Sequence, residues 1–273
     1  MFQPDFQVRK QRPAVTLIEL VYHATVRSIR KTHGNPVIGL LISMLQAAMF
    51  VGVFFLMMTF MGQRSAPLRG DFMLFLMTGV FLFMTHAKAV AAVMGAEGPV
   101  SGMMLHAPMN TTIAILSSAL SSLYTQTIAM VVILFLYHAL WNPITIEDPV
   151  GAYGLFLLSW ISGVAVGSLF LAIKPWFPRF AQIGSQVYRR ANMIASGKMF
   201  VANALPGYML AMFDWNPLFH CIDQVRGYVF LNYNPHFSSI SYPLYVSLAL
   251  LTLGLLGEFY TRKQVSRSWS AGK

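Results

Sequence analysis

Trp215-Asn-Pro-Leu-Phe-His-Cys-Ile-Asp-Gln-Val-Arg226 sets an amide, an imidazole, a thiol, a carboxylate and a guanidinium close together between two apolar segments. Pro217 removes a backbone donor and interrupts any helix running through this stretch. Asp223 and Arg226 lie three apart, so on a helix they share a face and can pair. A short, polar, broken element before the last apolar segment reads as a re-entrant or surface-lying gate, not as a simple anchor. Charges also fall inside an apolar region at Arg189, Arg190 and Lys198. Arg189 and Arg190 sit where long side chains can snorkel to the interface. Lys198 is eight residues further on, about 12 Å along a helix. It either faces a water-filled path and meets an anion, or marks the outer interface of a short span.

Other chemistry fails on spacing. The histidines at 23, 33, 86, 106, 138, 220 and 236 never form the i, i+4 zinc pattern with a glutamate between them. No Gly-x-Ser-x-Gly elbow occurs. Gly197-Lys198 resembles the end of a phosphate loop, but Asn192 replaces the first glycine and Met199 the Ser or Thr. No catalytic residue and no metal ligand is assigned, and any use of ATP falls to another polypeptide. With one cysteine, Cys221, the chain forms no internal disulfide.

Composition sets the class of element that must position these groups. The chain has 273 residues, 56% hydrophobic and 10% charged, with mean hydropathy +0.58. Soluble domains carry about 25% charged residues, so this is an integral membrane protein. The net charge of +10 fits basic residues facing anionic lipid and the cytoplasm. No recognition motif accompanies it, so nucleic acid is not a partner.

The expected fold is all-α: six transmembrane helices, an N-terminal amphipathic interface helix, and short re-entrant gate helices before the last span. A tail covers 1–13, the interface helix 14–33, and the six-span unit 34–273. The spans run about 37–61, 72–93, 112–140, 151–173, 185–204 and 242–260, with the outer gate region at 205–230. Within 14–33, Glu19, His23, Arg27 and either Arg30 or Lys31 make a polar stripe. Leu17, Leu20, Val21 and Ala24 make an apolar one. The helix is either a basic anchor or a docking surface. Gly34, Asn35 and Pro36 end it.

Arg9, Lys10, Arg12, Arg27, Arg30 and Lys31 precede the first span, and Arg262, Lys263, Arg267 and Lys273 follow the last or end it. Both termini are therefore expected in the cytoplasm. Loop 94–111 fits this orientation weakly, carrying only Glu97 and His106, and Lys88 supports it by snorkelling. Ser117, Ser118, Ser121, Ser122 and Thr125 in span three, and Gly163-Val-Ala-Val-Gly167 in span four, read as surfaces for close helix packing.

These features resemble the type-2 ABC export permeases, specifically the membrane subunit of capsular-polysaccharide and O-antigen exporters. Ser28-Ile-Arg-Lys-Thr-His-Gly34 followed by Ile38-Gly39 is similar to the family's Arg-rich interface helix and the start of its first span. Pro178-Arg179 resembles its cytoplasmic Phe-Pro turn, with arginine where an acid is common. Trp215-Asn-Pro-Leu218 through Asp223-Gln-Val-Arg226 resembles its outer gate, with aspartate for glutamate. Early in the first span, Ile42, Gln46 and Ala47 replace the family's Trp and Asn-Pro or Glu-Pro.

The resemblance implies a transporter subunit of the inner membrane, not an enzyme. It implies a homodimer paired with two copies of a separate ATPase that binds ATP and Mg, and this chain itself holds no cofactor. Glu19, His23, Arg27, Arg30, Lys31, Glu97 and His106 would couple to that ATPase, with a coupling helix at 94–107. Tyr188, Arg189, Arg190 and Lys198 would line the path of a lipid-linked polysaccharide. Trp215, Asn216, Pro217, Asp223, Arg226 and Tyr228 would form the outer gate. Tyr188, Trp215, Tyr228 and Tyr233 would stack on sugars or form an aromatic belt. Periplasmic and outer-membrane export proteins would be further partners. Three alternatives stay open. They are export of a drug, lipid or lipo-oligosaccharide by the same fold, a membrane enzyme of glycan assembly, and a non-transporting component of a glycan synthesis complex.

Overall fold

The computed structural model describes residues 13–33, 35–60, 62, 68, 70–96 and 111–270. Their structure is all-helical, with nine α-helices in the order α1 Pro13–His33, α2 Pro36–Phe60, α3 Phe72–Met94, α4 Thr111–Leu140, α5 Pro149–Ile173, α6 Pro178–Ala195, α7 Gly207–Phe213, α8 Pro217–Val229 and α9 Ser241–Ser270. Among the described residues, α2, α3, α4, α5 and α9 are long and apolar enough to cross a membrane. The chain is a helical, multi-pass membrane protein.

Local chemistry starts these helices where the sequence changes. Asp71 caps α3 by accepting from Met73 N–H at 2.8 Å. Asp148 caps α5 by accepting from Val150 and Gly151 N–H, with Pro149 in the first turn. Asn216 caps α8 through Leu218 N–H, again followed by proline. Each cap satisfies donors that a helix start leaves open.

Helix α3 is the axis of the bundle, buried along nearly its whole length, whereas α2 and α9 are mostly exposed. It packs against α5, α4, α2, α8 and α6. The small face of α5 allows the closest of these contacts. A Cβ on Gly163 would lie 2.5 Å from the His86 carbonyl oxygen, and one on Gly167 would lie 2.9 Å from Val93 Cβ. In α4, Ser117, Ser122 and Thr125 bond to their own helix backbone. Ser117 and Ser121 are buried. Both serine-rich and glycine-rich stretches therefore serve packing, as the sequence implies.

The expected fifth span, 185–204, is not one helix. Helix α6 ends at Ala195, Gly197 turns left-handed at φ +73°, and a short 3-10 turn follows at Ala202–Ala204. Glycine takes that conformation without the steric cost a side chain imposes. The reason for the break is tertiary: the chain leaves α6 to bring Lys198 against α3. A Cβ on Gly79 would lie 2.7 Å from Lys198 Cβ. Helix α8 starts where α6 stops, because Asn216 Nδ2 donates to Asn192 Oδ1 at 2.7 Å and to the Ala195 carbonyl at 2.9 Å. It ends beside the start of α3, where the Phe230 ring covers Gly70. There Asp148 N–H also donates to the Tyr228 carbonyl at 2.8 Å.

Helix α1 packs along α4 and α2. Glu19, His23 and Arg27 are exposed, and Leu20, Val21 and Ala24 are half-buried, so the two stripes face as their spacing implies. Glu97, His106 and most of the expected coupling helix at 94–107 lie outside the described residues, as does the tail 1–12. The side chains of Arg30 and Lys31 lie outside them too.

Candidate functional site

The polar residues collect at the junction of α6 and α8. Arg226 is fully buried on α8. Its guanidinium donates to the Gly197, Phe200 and Lys198 carbonyl oxygens, the first at 3.1 Å and the last at 2.8 Å. The Phe75 ring of α3 stacks 4.1 Å from its centre. A planar fork of donors suits this task, since it holds several carbonyls at fixed angles. Arg226 thus clamps the turn 197–200 that carries Lys198.

Asp223, one turn away and also buried, organises the other side. It accepts from Ala202 N–H at 3.2 Å, from Ser238 Oγ at 2.7 Å and from Tyr233 Oη. The expected Asp223–Arg226 ion pair does not form. Arg226 holds the turn 197–200, and Asp223 joins Ala202 to the loop carrying Tyr233 and Ser238, so the shared face holds two clamps in place of a pair. Gln224 adds bonds from Nε2 to the Ser238 carbonyl and hydroxyl. Asn203 ties the two loops together through the Asn234 carbonyl at 2.8 Å and His236 N–H at 3.1 Å.

The remaining gate candidates divide. Asn216 and Pro217 start α8, and Asn216 is buried. Trp215 is 63% exposed. Its indole N–H donates to the Met212 carbonyl, and its own carbonyl accepts from Tyr242 Oη at 2.8 Å. His220 bridges the same corner, with Nδ1 accepting from Ser239 N–H at 3.1 Å and Nε2 donating to the Asp214 carbonyl at 2.7 Å. Tyr228 lies against Gly151 of α5, so it serves packing between α8 and α5.

Of the path candidates, Lys198 is the most unusual. It is 1% exposed, and its Nζ makes no hydrogen bond. Three rings surround the ammonium: Phe83 at 3.9 Å, Phe54 at 4.4 Å and Phe50 at 5.8 Å. Ring faces attract a cation but do not satisfy its N–H donors. Lys198 is therefore enclosed by protein, just past the end of α6 at Ala195. Tyr188 Oη bonds His86 Nε2 at 3.0 Å, while His86 Nδ1 bonds Ser162 Oγ at 2.8 Å. Ser162 donates onward to the Ser159 carbonyl, which leaves His86 Nδ1 as donor and Nε2 as acceptor. Tyr188 is thus held from α3 and α5. Arg189 is half-buried and donates to the Ser185 carbonyl, whereas Arg190 is exposed.

Three participants were not read from the sequence. His86 failed the metal spacing and so carried no other signal. Gln46 appeared only as a departure from a family pattern. Lys88, read as snorkelling, instead donates from Nζ to Gln46 Oε1 on α2 at 2.6 Å. A lone lysine in one apolar segment and a lone glutamine in another are the signal available for that pair. Among the described residues no cluster of His, Cys, Asp or Glu could hold a metal ion.

No family model matches the chain, and no curated protein matches it. The site's geometry therefore carries the functional reading.

Proposed function

We propose that this chain is the membrane-spanning permease of an ATP-driven exporter that moves lipid-linked polysaccharide, of capsule or O-antigen type, out of the cytoplasm. The observation that carries the reading is the buried charge at the α6–α8 break. Lys198, Asp223 and Arg226 are buried together in a bundle of largely apolar helices. Ionisable groups at such depth are costly and mark pathways and moving parts. Non-helical backbone inside a membrane bundle is tolerated where protein or a water-filled cavity surrounds it. Those are properties of a transporter, and an anchor needs neither.

On this reading α6 and α8 together make a sixth, broken crossing. They have 18 and 13 residues, about 27 Å and 20 Å at 1.5 Å per residue. Six crossings place both termini in the cytoplasm of an inner-membrane protein. The permease is a homodimer that works with two copies of an ATPase, which supplies ATP and Mg. Helix α1, with Glu19, His23 and Arg27 exposed, offers the docking face. Nucleotide binding moves packed helices as units, and α7 and α8 form the outer gate.

The deciding experiment compares surface and cytoplasmic glycan in deletion and complemented cells. Glycan trapped inside and restored to the surface by the intact gene is the expected result. Unchanged surface glycan with no internal store overturns the polysaccharide assignment.

A further inference from the structure

Helix α2 packs on the bundle through buried apolar residues, and two lysines also reach it. Its residues Gln46, Phe50 and Phe54 recur every four positions and so form one stripe. Lys88 of α3 bonds the Gln46 end of that stripe, and Lys198 sits on the Phe50 and Phe54 rings. The Lys88 contact is the one side-chain hydrogen bond between α2 and another helix among the described residues.

Two lysines thus stand against one helix, and among the described residues no acid is paired with either. Lys198 Nζ goes without any hydrogen-bond acceptor. A packing role favours a neutral side chain here, because an ammonium buried against rings leaves every donor unmet. Turn-forming residue types flank helix α2. It starts at Pro36, and the chain beyond its end at Phe60 takes a left-handed turn at Gly62, φ +82°.

We propose that the seam between α2, α3 and the turn 197–200 is a closed site for a phosphate-class anion. Lys88 and Lys198 would take the anion's charge, and the Gln46–Phe50–Phe54 stripe is its shutter. The anion displaces the stripe because its oxygens give the lysines the acceptors that ring faces cannot. The inference rests on the transport reading, in which the lipid linker of the cargo would supply that group. A free phosphate or a phospholipid headgroup carries the same chemistry.

The test uses the purified full-length chain in phosphatidylcholine nanodiscs, without any ATPase. Inorganic pyrophosphate and farnesyl diphosphate are titrated, with thermal stabilisation as the readout. Saturable binding is expected, weakened at least about tenfold by Lys88→Gln and by Lys198→Gln. Phe54→Leu removes a ring and keeps every charge, so it should tighten binding. Farnesyl diphosphate binding more tightly than pyrophosphate supports a lipid-linked source, and equal binding supports a free anion. Competition by phosphatidylglycerol in the disc supports a headgroup.

No saturable binding to wild type or to Phe54→Leu overturns the inference. So does binding that neither lysine substitution changes. The assay is independent of export. Trapped glycan in the deletion strain without anion binding sinks the seam alone. Anion binding with normal surface glycan sinks the export reading alone.

Discussion

Replacing Arg226 with methionine tests the clamp that shapes the site. Methionine keeps much of the volume and removes the fork, so the change reads hydrogen bonding more than packing. Three backbone carbonyls, of Gly197, Lys198 and Phe200, lose their donors. A hydrogen bond to a charged group contributes about 1.5–3 kcal/mol net. Three of them would sum to about 5–9 kcal/mol, but removing the guanidinium also recovers its desolvation cost, of order several kcal/mol. The net loss is about 3 kcal/mol, the lower end of the range for breaking a buried charged network.

At about 2–4 °C per kcal/mol, the range for chains slightly shorter than this one, the melting temperature in detergent should fall by about 6–12 °C. Hydrogen exchange should locate the damage. Amides at 197–202 should exchange faster, while those in the middle of α5 should not change. Arg226→Lys should lie between, since an ammonium cannot hold three carbonyls at the angles of a planar fork. A melting temperature within a degree of wild type, with unchanged exchange at 197–202, would refute the clamp.

Gly79→Ala places a Cβ 2.7–2.9 Å from Lys198 Cβ, Cα and carbonyl oxygen. It should therefore cost about 1–3 kcal/mol as overpacking, seen as a lower melting temperature, and a neutral result would mean the turn yields freely. Asp71 is pushed up by burial, but bonds from Tyr137, Asn142 and the Met73 and Leu74 N–H groups outweigh this and hold its carboxyl below the usual range. A depressed folded value means its stabilisation is present above the unfolded value of about 3.9 and fades as pH falls through the folded value. The melting-temperature gap between Asp71→Asn and wild type should therefore be widest near neutral pH and close below about pH 4. A gap that persists in acid would show the loss is not one of charge. Arg27→Glu with Arg30→Glu should weaken co-purification with the proposed ATPase. Undiminished co-purification would remove α1 as the docking face.

How much could be read in advance depended on the range of the forces involved. Helices α2, α3, α4 and α5 begin and end within a few residues of the apolar runs that imply them. Desolvating backbone in an apolar stretch leaves a helix as the one local way to satisfy it. The same local logic gave α1 its two stripes and α8 its Asn-Pro start. The fifth expected span failed because Gly197 and Lys198 answer to Gly79 and Arg226, and neither contact leaves a periodic trace in residues 185–204.

Sequence by itself determined that the chain is a helical membrane protein. It also determined where four of the apolar helices run and that the charged residues at 198, 223 and 226 needed explaining. Tertiary structure alone decided what those charges do. A pattern of residue types can flag a buried charge by its cost. The groups that offset the cost come from elsewhere in the chain: Arg226 finds carbonyls about thirty residues back in the chain, Asp223 finds donors on both sides, and Lys198 finds only rings from α2 and α3. Such contacts are set by how helices pack, because a charge in an apolar interior is governed by the few atoms within reach of it.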